Sequence, residues 1–345
     1  MVDALADRLL VSTHELCELH DTGPGHPERP SRIPAVLRGI EKAAVVEQVT
    51  LVEAPLPNDE HIIHVHTDRG LTRLDHLSAT GGGSIDPDTV ASPHSAQAAR
   101  RAAGAGLDLV DRLDRGEGDL GWSVMRPPGH HATKLDQMGF CLINNVAVTA
   151  TALADRGERV AILDIDAHHG NGTQDIFYSD PRVLFISLHE FPAYPYTGAA
   201  SEVGDGAGRF TNVNVPLPSG ATGDVYQAAV DRIVAPRLEA FAPTWVLVSL
   251  GFDAHRADPL TDLGLTSGDY ADLVYAILSL CANTQRLMFL EGGYDLQALV
   301  DSSAAVVAAV MGAEHAIRPE PSSAGGPGMD TVDLVHEIHE EQRLR

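Results

Sequence analysis

Short apolar runs alternate along the chain with alanine-rich segments that have helical spacing. The runs are rich in β-branched residues and lack the strict polar alternation of a half-exposed strand. They predict buried strands at WSVM, VAILDID, VLFISLH, TWVLVSLGFD and RLMFLEGG. The segments between them predict helices, among them INNVAVTATALADRG and DVYQAAVDRIVAPRLEAF. This order predicts an α/β fold, with a central, mostly parallel sheet and helices on both faces.

Segments rich in proline and glycine divide the rest of the chain. HDTGPGHPERPSR and ATGGGSIDPD predict long ordered loops. RPEPSSAGGPGMD has the composition of a linker, and TVDLVHEIHEEQRLR after it resumes a charged helical pattern. We therefore predict a single domain over residues 1–317, followed by a linker and C-terminal helical tail over residues 318–345. We interpret the tail as an appendage to that domain and not as a second domain.

The charge of the chain restricts its partners. The 345 residues have a formal net charge of −24, and Lys42 and Lys134 are the only lysines. Because no basic run could neutralise a phosphate backbone, we do not expect direct binding of nucleic acid. An acidic surface favours cationic partners such as polyamines or lysine-rich peptides, although solubility or adaptation to salt is the more ordinary explanation.

The cysteines and the N-terminal segment indicate a compartment. Cys17, Cys141 and Cys281 are isolated, so they predict neither a disulfide framework nor a cysteine zinc site. The N-terminal segment lacks the pattern of a signal peptide, and no apolar run approaches the roughly 18 residues of a spanning helix. We expect a cytoplasmic protein without a membrane segment. The sequence is compatible with a homo-oligomer but does not specify one.

Polar residues follow several predicted strands at their carboxyl ends, where ligands bind in an open parallel sheet. Asp164, Asp166 and His168 follow VAIL, and Asp253 follows WVLVSLGF. Residues two apart in an extended segment point the same way, so Asp166 and His168 can face one centre. Crowded carboxylates without a cation would repel one another. We therefore predict that Asp166, His168 and Asp253 bind a metal ion.

The same strand ends supply groups for hydrolysis. Three nitrogen and oxygen ligands leave a position for water, as in a hydrolytic zinc site, although Fe²⁺ and Mn²⁺ accept similar ligands. His130 and His131 follow the strand WSVM and offer an imidazole base. Tyr294 follows two glycines after RLMFLE, where its phenol could reach a developing oxyanion. Taken alone, this tyrosine would be interpreted as a packing residue.

Six longer motifs carry a family resemblance. RPPGHHA, GFCLINNVAV, DIDAHHGNGTQDIFY, SLHEFPAYPYTG, GFDAHRADPL and LEGGYD resemble the histone deacetylase and acetylpolyamine amidohydrolase superfamily, with HPERPSR as its N-terminal loop. The resemblance extends in unbroken order over about residues 14–312 and does not cover the tail. It implies the arginase-deacetylase α/β fold, zinc on the three ligands named above, and hydrolysis of an N-acetyl amide, which is a linear amide other than a peptide bond.

The resemblance also implies a role for each residue. His131 would act as general base and then as acid, His130 backed by Asp164 would be its electrostatic partner, and Tyr294 would donate to the oxyanion. A structural potassium ion would be held, largely through backbone carbonyls, by Asp164, Asp166, His168, Ser187 and Leu188. The substrate-binding residues would be Gly139, Phe140, Tyr194, Gly292 and Gly293, with Leu260 at the rim.

One position separates branches of this superfamily, one bears on specificity, and two differ from the related arginases. Asn171, the expected partner of His131, replaces the Asp of some members, as in class II deacetylases, acetylpolyamine amidohydrolases and related bacterial enzymes. A neutral amide stabilises an imidazolium less than a carboxylate does, so the pKa of His131 should lie lower. Polyamine-selective class II members can carry an acidic gatekeeper at the position of Leu260. The leucine here argues modestly against that particular mode of polyamine selection. Gly170 and His255 occupy positions where the two-manganese site of arginases needs carboxylates, so one catalytic metal is favoured and His255 is expected at the rim.

The substrate class follows from these roles. The predicted activity removes an acetyl group from a primary amine, either a lysine side chain of a protein or peptide, or a polyamine. Two alternatives stay open. One is hydrolysis of another small amide or ester in the same pocket, and the other is a non-catalytic module that binds acyl-lysine. Tyr294 argues against the second alternative, because a binding module has no need of an oxyanion donor.

Overall fold

One parallel sheet organises the chain. The computed structural model describes residues 4–281, 284–313 and 319–340. The strands in these residues are β1 Leu9–Thr13, β2 Val49–Glu53, β3 Gly83–Ser84, β4 Val90–Ala91, β5 Leu120–Ser123, β6 Val160–Asp164, β7 Val183–Glu190, β8 Asn212–Leu217, β9 Trp245–Leu250 and β10 Gln285–Leu290. Eight of them form one sheet in the order β2-β1-β5-β10-β9-β6-β7-β8, with every neighbouring pair parallel. β3 and β4 form a separate antiparallel pair.

Helices connect these strands. The α-helices in the described residues are α1 Leu16–Leu19, α2 Arg32–Lys42, α3 Asp59–Ile63, α4 Asp68–Ala79, α5 Ser95–Asp114, α6 Asn145–Asp155, α7 Asn171–Phe177, α8 Gly223–Ala229, α9 Ala235–Phe241, α10 Ser267–Ser279, α11 Leu296–Val310 and α12 Met329–Glu340. Short 3₁₀ turns lie at Val46–Gln48 and Gly206–Gly208, and a π-helical turn at Val230–Val234 joins α8 to α9. No helix within the described ranges has the length and apolar character needed to cross a membrane.

Both faces of the sheet are buried. In β6, Val160 and Ile162 belong to one hydrophobic cluster, whereas Ala161 and Leu163 belong to the other. Helices α2, α10 and α11 pack into the larger cluster, and α5 and α6 pack into the smaller one. Because successive strand residues point to opposite faces, burial of both faces removes the polar alternation from the sequence. The predicted α/β class is confirmed.

The apolar runs locate the inner strands but not the outer ones. Each of the five predicted runs overlaps a strand of the main sheet. Strands β1, β2 and β8 were not predicted. β8 is an edge strand with the sequence NVNVPL, in which Asn212, Asn214 and Pro216 disfavour a strand, and an edge tolerates proline because one side of its backbone is unpaired.

The helix predicted over residues 142–155 is α6, and it begins and ends as its sequence indicates. The Asn144 side chain accepts a hydrogen bond from the Ala147 backbone N–H at 3.0 Å and caps its N-terminus. Gly157 follows the last turn with φ +88°. The second predicted helical segment is interrupted by the π-helical turn, because Pro236 has no N–H to donate to the preceding turn.

The C-terminal segment packs onto the body of the protein. In α12, Val332 and Val335 are fully buried and belong to the same hydrophobic cluster as the sheet. The predicted boundary between residues 317 and 318 lies outside the described residues, as do residues 341–345 of the predicted tail. The division of the chain at that boundary therefore stays a prediction.

Candidate active site

Three buried side chains converge beyond the ends of β6 and β9. His168 Nδ1 lies 3.2 Å from Asp166 Oδ1 and 3.0 Å from Asp253 Oδ2. One ligand atom from each residue lies within 4.8 Å of the other two. The backbone N–H of Ala167 donates to Asp253 Oδ1 at 2.9 Å, which joins the two strand ends directly. The structure therefore brings the three predicted ligands together.

The charges of these three residues fit a cation. Burial raises the pKa of Asp253, and the neighbouring Asp166 carboxylate raises it further. Burial lowers the pKa of His168, but its hydrogen bonds to the two carboxylates outweigh burial and raise that pKa well above the ordinary value. A single imidazole proton thus faces two carboxylates. A divalent ion in the same place would neutralise both, and one nitrogen with two carboxylates is a donor set that zinc accepts.

Asp164 lies behind this cluster. Its Oδ1 accepts a hydrogen bond from the Asp166 backbone N–H at 3.1 Å, and its Oδ2 lies 3.0 Å from His130 Nδ1. Burial raises its pKa to about 6. In the β6–β7 register Asp164 is paired with Ser187, and Ser187 and Leu188 are both fully buried. Of the residues predicted for potassium, Asp164 lies on β6 and Ser187 and Leu188 lie on the neighbouring β7, whereas Asp166 and His168 follow the end of β6.

The two adjacent histidines have opposite protonation tendencies. Burial lowers the pKa of both rings. For His130, the charges of Asp166 and Asp164 outweigh burial, and the pKa rises to about 10. His131 faces the positive charges of His130 and His168, and its pKa falls well below the ordinary value. The arrangement holds a cationic imidazole beside a neutral one.

Asn171, the first residue of α7, fixes the orientation of His131. Its Oδ1 lies 2.7 Å from His131 Nδ1, so that nitrogen carries the proton and Nε2 keeps a lone pair. The expectation that the pKa of His131 lies lower with this amide than with a carboxylate stays a prediction. Burial is the largest cause of the lowered pKa in the structure, and the Asn171 hydrogen bond raises that pKa.

Two of the predicted channel residues, Gly139 and Tyr194, lie against the ring of His131. A β-carbon on Gly139 would stand 2.5 Å from His131 Cδ2 and 3.0 Å from Tyr194 Cε1, so only glycine allows this approach. The rings of His131 and Tyr194 have centroids 5.2 Å apart. Phe140 packs edge-on against Tyr294, with centroids 5.8 Å apart. Gly139 and Tyr194 therefore lie against His131, and Phe140 lies against Tyr294.

Two further positions lie farther out. Leu260 is 43% exposed, on the loop that follows Asp253. His26, in the proline-rich N-terminal loop, packs edge-on against Phe140 with ring centroids 4.8 Å apart. His255 is not at the rim as expected, because it is only 4% exposed and its Nε2 lies 2.7 Å from Glu320 Oε2 of the C-terminal segment.

Tyr294 reaches the site through a glycine turn after β10. The Gly292 N–H donates to Asp166 Oδ2 at 2.7 Å, and a β-carbon on Gly292 would stand 2.2 Å from Asp253 Oδ2. Gly293 has φ +110°, a conformation that other residues rarely adopt. Burial and the Asp253 charge raise the pKa of Tyr294 well above the ordinary value, so its hydroxyl keeps its proton and remains a donor.

The sequence analysis missed several buried residues that support the site. Arg32 donates to the Gly293 carbonyl at 2.7 Å and to Glu28, which also pairs with Arg126. Glu291 Oε2 accepts from the Gly129 N–H at 2.7 Å and from the His130 N–H. A charged residue next to an apolar strand was the available signal for Glu291. Arg32, the first residue of α2, ends the segment HDTGPGHPERPSR, for which only an ordered, positioning loop was predicted.

Comparison with known proteins identifies similar deacetylases and amidohydrolases. The family model described as histone deacetylase domain matches residues 26–310. A probable deacetylase of Archaeoglobus fulgidus is 36% identical over 90% of this chain and 88% of its own length. A histone deacetylase-like amidohydrolase of Pseudomonas aeruginosa is 36% identical over 88% of this chain and 86% of its own.

A solved structure extends the comparison to the fold. The crystal structure of the HDA15 HD domain superposes with a TM-score of 0.89 at 37% identity, covering 97% of this chain and 95% of that one. The parallel sheet is therefore the arginase-deacetylase fold that the sequence predicted. The chain belongs to the histone deacetylase family of deacetylases and amidohydrolases.

Proposed function

We propose that the protein is a zinc-dependent hydrolase that removes the acetyl group from an acetylated primary amine. The observation that carries this proposal is that His131, a neutral imidazole, lies next to the three candidate metal ligands. The rings of His131 and His168 have centroids 6.0 Å apart, and Asp166 and Asp253 complete the cluster. Family membership supports hydrolysis of an amide.

The proposed metal ligands are Asp166, His168 and Asp253, and Fe²⁺ or Mn²⁺ would accept the same donors. An ion held there supplies Lewis acidity toward the amide carbonyl and toward water. The proposed potassium ion would lie beside Asp164, Ser187 and Leu188. Its support is family membership, together with the burial and register of those residues.

The remaining chemistry belongs to side chains of this chain. His131 Nε2 accepts a proton from the attacking water while Asn171 holds the opposite nitrogen. The carbonyl oxygen gains negative charge as the new C–O bond forms, and the Tyr294 hydroxyl donates a hydrogen bond to it. When the C–N bond breaks, His131 returns the proton to the amine nitrogen, and acetate is the second product. His130, held cationic by Asp164, stabilises the developing negative charge.

The proposed substrate-binding residues suit a narrow aliphatic arm. Gly139, Phe140 and Tyr194 would border the space before His131, with Leu260 toward solvent. Apolar walls would cover the methylenes of a lysine or polyamine and leave the acetamide at the inner end. Gly292 and Gly293 would allow the substrate carbonyl to approach between Asp253 and Tyr294.

A metal analysis and a substrate panel test this proposal. The purified protein, loaded with zinc, would be offered an acetyl-lysine peptide, acetylputrescine and an acetate ester. We expect about one zinc per chain and turnover of an acetylated amine. Turnover of the ester alone would favour another hydrolase activity in the same pocket. Binding of acetyl-lysine without any turnover would favour a binding module and contradict the proposal.

A further inference from the structure

We propose that Asp258 is a positioning residue that fixes the backbone of Tyr294 and joins it to the outer loop that carries Leu260. This inference rests on the proposed function, because it concerns the residue that would donate to the oxyanion. Asp258 lies on the loop after β9, five positions beyond Asp253, and is only 7% exposed.

Both carboxylate oxygens of Asp258 accept backbone hydrogen bonds. Oδ2 accepts from the Tyr294 N–H at 2.7 Å and from the Asp295 N–H at 3.4 Å. Oδ1 accepts from the Leu260 N–H at 3.0 Å. One side chain therefore connects the turn after β10 with the loop after β9.

The glycine turn needs such an anchor. Two glycines precede Tyr294, and glycine leaves the backbone many conformations. Three polar backbone groups of the turn have different partners: the Gly292 N–H is held by Asp166, the Gly293 carbonyl by Arg32, and the Tyr294 N–H by Asp258. The Asp258 bond is the one that acts on Tyr294 itself. Loss of the Asp258 bond would leave the phenol less well aligned with an oxyanion. Stabilisation of an oxyanion depends on the alignment of its hydrogen-bond donors.

Burial of a carboxylate at this position is otherwise unfavourable. Burial and, after it, the Asp253 charge raise the pKa of Asp258 to about 7. The three backbone donors act in the opposite direction by holding the ionised form. A buried carboxyl group that receives three N–H donors from two separate loops is suited to holding those loops together.

The carboxylate can be distinguished from its amide analogue. Asparagine at this position would keep the shape but offer only one acceptor oxygen, and that oxygen carries no negative charge, so Asp258→Asn weakens the bonds to Tyr294 and to Leu260 alike. Asp262 on the same loop provides a matched control, because its side chain is exposed. Asp262→Asn removes the same charge nearby and should leave the kinetics unchanged.

A double-mutant comparison tests the proposed coupling. We expect Asp258→Asn to lower kcat on an acetyl-lysine amide about tenfold with unchanged zinc content, as for one weakened hydrogen bond. In the Tyr294→Phe background the same substitution should change kcat less than about twofold, because the phenol that it positions is already gone. An equal loss in both backgrounds would show that Asp258 acts independently of Tyr294 and would overturn the inference.

Hydrogen exchange provides a readout that is independent of activity. In Asp258→Asn the Tyr294 and Asp295 amides should exchange faster than in the parent protein, whereas the Gly292 amide, bound to Asp166, should exchange at the same rate. Unchanged protection of Tyr294 would overturn the inference. If the parent protein turned over no acetylated amine, the proposed function would fail, while the exchange rates would still decide whether Asp258 fixes the turn.

Discussion

At the scale of single residues, Asn171 contributes to how strongly His131 holds a proton. Its amide oxygen lies 2.7 Å from Nδ1 and brings no negative charge. In Asn171→Asp a carboxylate would face the ring and favour the imidazolium, so the pKa of His131 would rise from its lowered position. A base accepts protons only while it is neutral. The acidic limb of the kcat/KM profile should therefore move to higher pH, by roughly one unit.

The measurement is kcat/KM on an acetyl-lysine amide across the acidic pH range. Asn58, whose exposed side chain caps α3, gives the control. Asn58→Asp adds the same charge outside the candidate site and should leave the limb in place. An unmoved limb in Asn171→Asp would mean that His131 is not the group that titrates.

Tyr294 should affect turnover without affecting metal binding. Its hydroxyl is not one of the three clustered donors, so Tyr294→Phe should retain zinc. Loss of one oxyanion donor is expected to lower kcat about 100-fold. Metal analysis and steady-state kinetics of the variant measure both effects. Tyr196, which is 75% exposed, offers the matched substitution Tyr196→Phe, and full activity in Tyr294→Phe would contradict the proposed role.

At the scale of elements, the loop after β9 is bonded both to the turn after β10 and to the C-terminal segment. His255 Nδ1 accepts from the Ala257 N–H at 3.1 Å, so Nε2 carries the proton and donates to Glu320 at 2.7 Å. Glu320 also pairs with Arg256 and accepts from the Ser267 N–H. The family model ends at residue 310, so the C-terminal segment supports the loop that carries Asp253 from beyond the matched domain.

Removal of the Glu320 charge should loosen this attachment. Glu320→Gln keeps the size of the side chain but weakens its bonds to His255 and Arg256. Because the pair with His255 is partly buried, we expect the free energy of unfolding to fall by about 1 kcal/mol. Denaturant unfolding of zinc-loaded protein measures this change. Glu337→Gln, at an exposed position of α12, should have no effect, and equal stability of both variants would show that the Glu320 contacts do not contribute.

The sequence predicts elements where one signal dominates. Buried inner strands such as β6 and β9 are apolar throughout, and the polar residues at their ends, among them Asp166 and Asp253, contrast with what precedes them. β8 was missed because its alternating asparagines and its proline resemble a turn, and only its position at the sheet edge makes them acceptable. Asp258 and Glu320 were missed because their partners are distant in sequence and meet them only when loops fold back.

At the scale of the whole molecule, charge is the property that most directly concerns substrate choice. A formal net charge of −24 produces a negative potential that extends over roughly 10 Å at 0.1 M salt and roughly 3 Å at 1 M. A cationic acetylated polyamine or a lysine-rich peptide would be attracted to this surface before it reaches the channel. The same potential would not affect a neutral substrate.

Ionic strength therefore separates attraction by charge from recognition by the channel. We expect kcat/KM for an acetylated lysine-rich peptide to fall several-fold, on the order of 3- to 10-fold, as salt rises from about 0.05 to 0.5 M. For an uncharged acetyl-lysine amide the value should stay nearly constant, which controls for any effect of salt on folding or metal binding. A parallel decline for both substrates would place the salt effect in the protein itself. A constant value for both would mean that the acidic surface contributes to solubility and not to capture of the substrate, and that selectivity resides in the channel that Leu260 borders.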